Sequence, residues 1–129
     1  MVIDTSALVA ILLGEPETET LARAIAADPK RLLSAVSAFE AYIVITAKKG
    51  EAGSRELDLL LHRSAIETVA LGAPQVELAR KGWLRYGKGR HPAGLDLGDC
   101  CAYALAMHAG EPLLFIGDDF TKTDVRPVL

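Results

Sequence analysis

Residues 1–13, MVIDTSALVAILL, decide the fold of this chain. A short apolar run ends in Asp4, and a second apolar run follows almost at once. Ser6 is of the residue type that caps the start of a helix, and Gly14 is of the type that ends one. The stretch therefore predicts a strand, an aspartate at its end, and a helix capped by Ser6.

The same alternation continues along the rest of the chain. We expect further strands at the short apolar runs 31–33, 66–71 and 112–116. The residues between these runs have apolar positions at helical spacing. Strands that alternate with helices predict an α/β fold with a mainly parallel central sheet flanked by helices, because parallel neighbours need helical crossovers. The length of 129 residues predicts one domain over 1–129.

Composition excludes several classes of protein. Half of the residues are apolar and 24% are charged, which is typical of a globular chain and not of a disordered or fibrous one. The longest apolar run, 7–13, is far shorter than the roughly 20 residues that span a membrane. No basic leader precedes it, so we expect no membrane association and a cytoplasmic location. The adjacent Cys100 and Cys101 are expected to be reduced and buried.

Four carboxylates follow strands or open helices at positions that would face one edge of the predicted sheet. These residues are Asp4, Glu40, Asp99 and Asp118. Ligands of parallel sheets bind at the carboxyl ends of the strands, which is that edge. Each residue also has a simpler role: Glu40 closes a capping box with Ser37, or Asp99 favours the positive end of its helix. Asp118 and Asp119 can simply form a turn.

Converging carboxylates predict a bound cation. They repel one another by roughly 4 kcal/mol per pair at about 4 Å and an effective dielectric of about 20, and protonation or a cation offsets that cost. An all-oxygen site without cysteine or histidine favours Mg²⁺ or Mn²⁺ over zinc. Such ions activate water and stabilise charge on a phosphate. The expected substrate is a phosphate ester.

A basic stretch lies within a chain of net charge −3. Residues 78–95 contain no acid and hold five of the 14 basic residues, namely Arg80, Lys81, Arg85, Lys88 and Arg90. These side chains are expected to contact the backbone of an RNA, or else to form a solvated helix face. Trp83 and Tyr86 are expected to stack on bases, with Trp83 in the core as the alternative. His91 is expected at the surface.

Four ordered motifs resemble the PIN-domain ribonucleases and, within them, the VapC-type toxins of bacterial toxin–antitoxin pairs. The motifs are DTSAL at 4–8, Glu40, HPAGLDLGDC at 91–100, and LFIGDDF at 114–120 followed by Thr123-Asp124. The likeness spans the whole chain. It implies a three-layer PIN-like fold.

The resemblance also implies a function. It implies an endoribonuclease toxin that uses Mg²⁺ or Mn²⁺ to hydrolyse RNA phosphodiester bonds. A cognate VapB-like antitoxin would neutralise it by filling the groove with its C-terminal segment, and both homodimers and toxin–antitoxin hetero-oligomers are expected. The implied catalytic residues are Asp4, Glu40, Asp99 and Asp118. Asp4 and Asp99 would bind the metal, and Ser6 would hydrogen-bond within the site.

Two positions depart from the pattern of these toxins. Asp96 stands where they usually have asparagine, so it either adds a carboxylate to the cluster or only caps its helix. The adjacent Asp118 and Asp119 leave the fourth acidic residue open between them, and strand register favours Asp118.

Two other functions fit parts of the pattern. A phosphatase of the haloacid-dehalogenase kind also begins with an aspartate after a strand, but it needs a second aspartate where this chain has Ser6. A non-catalytic binding module would use the acidic cluster only to receive a basic partner peptide.

Overall fold

Strands and helices alternate along the chain. The computed structural model describes all residues, 1–129. The elements are β1 (Val2–Ile3), α1 (Thr5–Leu12), α2 (Thr18–Ala27), β2 (Leu32–Ser34), α3 (Ala35–Arg63), β3 (Glu67–Val69), α4 (Ala73–Tyr86), α5 (Leu97–Ala109) and β4 (Leu113–Leu114). No helix has the length and apolar character that a membrane span requires.

The four strands form one parallel sheet in the order β3-β2-β1-β4. Val2 in β1 lies opposite Leu32 in β2 and Leu113 in β4, so the N-terminal strand is central. All strands run in the same direction, and their carboxyl ends therefore share one edge. The predicted α/β fold with a parallel sheet is confirmed.

Helices cover both faces of the sheet because successive residues of a strand point in opposite directions. Ile3, together with Leu33 and Leu114, belongs to a buried cluster with residues of α1, α2 and α3. Val2 and Leu113 belong to a second cluster that contains most of the buried face of α5. The molecule therefore has three layers and two cores, as the resemblance implies.

The strands are shorter than the apolar runs that predicted them, because neighbouring backbone groups bond elsewhere. The backbone N–H of Ile116 donates to Ser6 Oγ at 3.0 Å, beyond the end of β4. The carbonyl of Ala70 accepts from Gln75 Nε2 at 3.0 Å, beyond the end of β3. Side chains thus end the sheet ladder inside the predicted strands at 112–116 and 66–71.

Helix α3 bends sharply at Gly50, whose φ of 67° is in the left-handed region. The hydroxyl of Tyr42 nevertheless donates to the Asp58 carboxylate, although these residues would be about 24 Å apart along a straight helix. The segments 35–49 and 51–63 therefore fold back on each other. The first of them carries Glu40.

Candidate active site

Asp4 ends the central strand and caps the next helix. Its carboxylate accepts a hydrogen bond from the Ser6 backbone N–H at 3.0 Å, and the residue is 5% exposed. The prediction that Ser6 caps α1 is therefore wrong: the helix begins at Thr5, and Asp4 satisfies its free N–H group. This position holds a buried carboxylate at the carboxyl edge of the sheet.

Glu40 has no capping role, so the capping box predicted for Ser37 and Glu40 is wrong. Ser34 caps α3 by accepting from the Val36 backbone N–H at 3.3 Å. Ser37 is buried in the first turn, where its carbonyl accepts from Thr5 Oγ1 at 2.9 Å. Glu40 is consequently free to reach the sheet edge.

The Glu40 carboxylate lies against the start of α5 at Gly98. A Cβ atom on Gly98 would be 2.6 Å from Glu40 Oε1 and 2.8 Å from Oε2, closer than non-bonded atoms approach. The missing side chain of Gly98 thus gives the Glu40 carboxylate its space. The sequence motif contains this glycine, but only the structure reveals what it accommodates.

Asp96 and Asp99 form a reciprocal capping box at the start of α5. The Asp99 N–H donates to Asp96 Oδ1 at 2.9 Å, and the Asp96 N–H donates to Asp99 Oδ2 at 3.1 Å. Asp96 therefore caps its helix, and Asp99 lies at the positive end of the same helix, as the simpler interpretations of both residues predicted. They do not exclude a metal role, since each carboxylate keeps a second oxygen.

The segment after β4 is joined to the same edge by the bond from Ile116 to Ser6 Oγ. Asp118 and Asp119 follow this segment, and both are exposed. The Asp118 carbonyl accepts from the backbone N–H and hydroxyl of Thr121, so this residue also forms the expected turn. Ser6 itself occupies the position at which the phosphatase alternative requires a second aspartate.

Electrostatics show that these carboxyl groups share one neighbourhood. Burial raises the pKa of Asp4 to about 6, hydrogen bonding from Ser6 opposes that rise, and the charges of Glu40 and Asp96 add to it. Asp99 has a raised pKa as well, first because of burial and then because of the charges of Asp96, Asp4 and Asp119. The charge of Asp119 makes the smallest of these contributions to the raised pKa of Asp99.

The donor set suits a hard divalent ion. No three His, Cys, Asp or Glu side chains are close enough to hold one ion together. Mg²⁺ does not require that, because it usually keeps several waters and binds one or two carboxylates. The buried Asp4 carboxyl with its raised pKa and the neighbouring Asp99 carboxyl supply such a pair.

The structure divides the five basic residues between two sides of α4. Arg80 and Lys88 line a cavity between α4 and the start of α5. Lys81 and Arg85 line a different cavity, next to Tyr103. The guanidinium of Arg90 lies over the Trp83 ring, 4.9 Å from its centroid.

Three aromatic or cysteine predictions have clear outcomes. Trp83 is 44% exposed, so the alternative that placed it in the core is wrong. His91 is half-buried, with Nδ1 accepting from the Ala93 N–H at 3.0 Å, and is less exposed than expected. Cys100 and Cys101 are free and buried, as predicted.

Replacing Asp4 with asparagine should stabilise the metal-free protein at neutral pH. The folded-state pKa of Asp4 is about 6 and its ordinary value is 3.8, so the folded state binds more protons and stability falls as pH rises between these values. Above pH 6, Asp4→Asn should gain on the order of 3 kcal/mol in free energy of unfolding, because each pH unit between the two pKa values corresponds to about 1.4 kcal/mol. The amide oxygen still caps α1.

Urea denaturation of both proteins in EDTA, from pH 4 to pH 8, measures this difference. Asp28 and Glu111, whose pKa values are lowered by the terminal ammonium group, affect both proteins equally and cancel. The gain of Asp4→Asn should shrink towards pH 4. If the two proteins differed by the same free energy of unfolding at every pH, the raised pKa of Asp4 would be contradicted.

Comparison with known proteins agrees with this geometry. The PIN-domain family model matches residues 1–126. A ribonuclease VapC of Mycolicibacterium smegmatis is 56% identical over 128 residues, which cover 99% of each chain. Ribonuclease VapC30 of Mycobacterium tuberculosis is 54% identical over 128 residues, covering 99% of this chain and 98% of its own.

Solved structures share the fold at low sequence identity. VapC20 of Mycobacterium tuberculosis, described as a sarcin-ricin loop cleaving toxin, superposes with a TM-score of 0.75 at 18% identity, over 98% of each chain. VapBC2 of Rickettsia felis, solved with a promoter DNA fragment, gives a TM-score of 0.76 at 16% identity, over 98% of this chain and 94% of the other. Taken with the full-length relatives, these matches establish that the chain belongs to the PIN-domain family and, within it, to the VapC proteins.

Proposed function

We propose that this protein is a toxin that cleaves RNA endonucleolytically with the help of Mg²⁺ or Mn²⁺. The observation that carries the proposal is the buried Asp4 carboxyl, which feels the charges of Glu40 and Asp96 at the carboxyl edge of the sheet. Relatives more than half identical to this chain over its full length are named ribonucleases. A cluster of this kind suits phosphodiester hydrolysis.

Each acidic residue has a distinct role in this proposal. Asp4 and Asp99 hold the divalent ion, which when bound supplies an activated water and neutralises charge on the scissile phosphate. Glu40 is free of capping bonds and accepts protons or hydrogen bonds from water at the site. Asp96 keeps Asp99 in place through their shared capping box.

We infer that Asp119 is the fourth acidic residue of the cluster. Its charge contributes to the raised pKa of Asp99, whereas the Asp118 carbonyl closes a turn with Thr121. Strand register favoured Asp118. The chain also turns at Gly117, whose φ is 101°, so strand register no longer determines which of the two side chains faces the site.

A cognate VapB-like antitoxin is the expected partner, and one surface beside the site suits it. Phe39, Ile43 and Leu97 are 68%, 54% and 74% exposed, and they surround Glu40 and Asp96 in a groove of about 310 Å³. No cationic residue lines this antitoxin groove. An apolar segment carrying a basic side chain would complement it.

Purified protein should cut RNA only when a divalent ion is present. The measurement is sequencing of the RNA ends produced in Mg²⁺, in Mn²⁺ and in EDTA. Asp4→Asn and Asp99→Asn should lose about 100-fold or more in cleavage rate, since each removes charge that holds the ion.

These variants are also the controls for a contaminating nuclease. Cleavage that survives EDTA, or that Asp99→Asn retains in full, would refute a metal-dependent mechanism. Absence of cleavage by the parent, together with tight antitoxin binding, would favour the non-catalytic binding module.

Asp119→Asn should reduce cleavage by about 100-fold, because this proposal makes Asp119 one of the four acidic residues of the cluster. Asp118→Asn is the matched control, since it changes the same group one residue away. The rates of both variants are measured on the same RNA. If only Asp118→Asn lost activity, Asp118 and not Asp119 would be the fourth acidic residue of the cluster.

Gly98→Ala should impair cleavage without weakening the fold. The new Cβ would displace the Glu40 carboxylate, the flexible end of a side chain, and a displacement of about 1 Å can cost about 100-fold in rate. Alanine is also better than glycine within a helix by about 0.5 to 1 kcal/mol. Thermal denaturation and RNA cleavage measure the two effects separately.

Glu40→Ala is the reference for this experiment. If Gly98 acts only by giving Glu40 its space, the double variant should be no slower than Glu40→Ala alone. A Gly98→Ala protein with the parental rate would mean that Glu40 does not need its present position.

A further inference from the structure

A second cavity lies on the other side of Asp96 from the antitoxin groove. It occupies about 450 Å³ between α4 and the start of α5, a size typical of ligand sites. Its walls are mostly apolar. Helix α4 contributes Val76 and Trp83, and the region of α5 contributes Leu95, Cys100 and Cys101. We call this space the α4–α5 cavity.

Charge distinguishes the α4–α5 cavity from the antitoxin groove. Arg80 and Lys88 line the α4–α5 cavity together with one acid, Asp96. Arg80 pairs with Glu77 at 3.6 Å, and Lys88 makes no ion pair. The antitoxin groove has only Glu40 and Asp96 as charged lining residues. A polyanion is therefore favoured at the α4–α5 cavity, and a basic segment is favoured at the antitoxin groove.

Trp83 is held in a fixed position at this cavity although it is 44% exposed. Its Cδ1 and Nε1 lie so close to Gly87 that a Cβ there would be 2.5 and 2.7 Å from them. The Arg90 guanidinium lies over the ring, 4.9 Å from its centroid. An exposed but ordered indole offers a stacking surface at little cost in conformational entropy.

The cavity adjoins the acidic cluster through a single turn of helix. Asp96 lines both the α4–α5 cavity and the antitoxin groove, and its capping partner Asp99 directly precedes Cys100 in the cavity wall. A nucleotide in the cavity would therefore be next to a phosphate at the cluster.

We propose that the α4–α5 cavity binds an unpaired base of the RNA next to the scissile phosphate, with Trp83 stacking on the base and Arg80 and Lys88 contacting the adjoining phosphate. This assignment rests on the proposed ribonuclease function. Proteins that recognise single-stranded RNA use this combination, in which aromatic side chains stack on splayed bases beside cationic groups on the backbone. Selectivity for an unpaired nucleotide follows, because a base must leave the stack of a duplex before it can lie against Trp83 between α4 and α5.

Trp83 is the only tryptophan of the chain, so its fluorescence reports on the cavity directly. The experiment titrates the Asp4→Asn protein, in which RNA stays intact, with a short single-stranded oligoadenylate. Stacking should quench the tryptophan emission. An abasic ribose-phosphate oligomer of equal length should bind with little quenching, because it offers the phosphates without a base.

Kinetics of the otherwise unmodified protein provide the second readout. Trp83→Ala should raise KM for a single-stranded RNA about tenfold while changing kcat less, since stacking aids binding of substrate and transition state alike. Trp83→Phe should recover part of the loss, and Trp83→Leu should not. Leu84→Ala is the matched control, because Leu84 is 42% exposed on the same helix but lines the cavity next to Tyr103.

The outcomes separate this inference from the proposed function. If the parent cleaves RNA but oligoadenylate leaves the emission unchanged and Trp83→Ala keeps the parental KM, the base site is wrong and the ribonuclease stands. If the parent cleaves nothing, base-dependent quenching still supports the site, and its absence still refutes it. Quenching by a purified cognate VapB-like antitoxin, without quenching by RNA, would assign the cavity to the protein partner.

Discussion

Burial of the Asp4 carboxyl among other carboxyls is the interaction on which the rest of the site depends. A charge at a nearly inaccessible position is costly unless it gains a partner, and here the neighbouring charges of Glu40 and Asp96 increase that cost. The fold offsets part of it at the start of α1, where Asp4 accepts the Ser6 N–H and faces the positive end of the helix. The remainder is available to favour binding of a cation. Burial of Asp4 therefore lowers the stability of the ion-free protein, and it would strengthen the binding of a cation.

The surroundings of the cluster are divided by charge. Helix α5 begins at the cluster, with an acid-lined apolar groove on the side of α3 and a cation-lined cavity on the side of α4. Both surfaces include Asp96 and Leu97. An antitoxin segment in the groove and a nucleotide in the cavity would thus both contact the first turn of α5. The two would then compete for the same place.

The sequence predicted the parallel α/β fold because apolar runs, helix stops and turn residues all agreed along the chain. It also predicted that Asp4 and Asp99 lie near each other, which agrees with the contribution of the Asp4 charge to the raised pKa of Asp99, whereas the place of Asp118 in the cluster stays a prediction. It misassigned the caps at Ser6 and Ser37, because Asp4 and Ser34 are equally good cap residues and only the strand lengths decide between them. It could not reveal that Gly98 gives Glu40 its space, or that Trp83 lines a cavity, because both depend on packing between segments far apart in sequence.

The bond from Ile116 to Ser6 Oγ has a consequence for synthesis of the protein. It joins two segments that are 110 positions apart in the sequence, and β4 pairs with β1 in the same way. A nascent polypeptide that still lacks the segment from β4 to Asp119 cannot complete this edge of the sheet. The acidic edge therefore forms only after that segment has been made and has paired with β1.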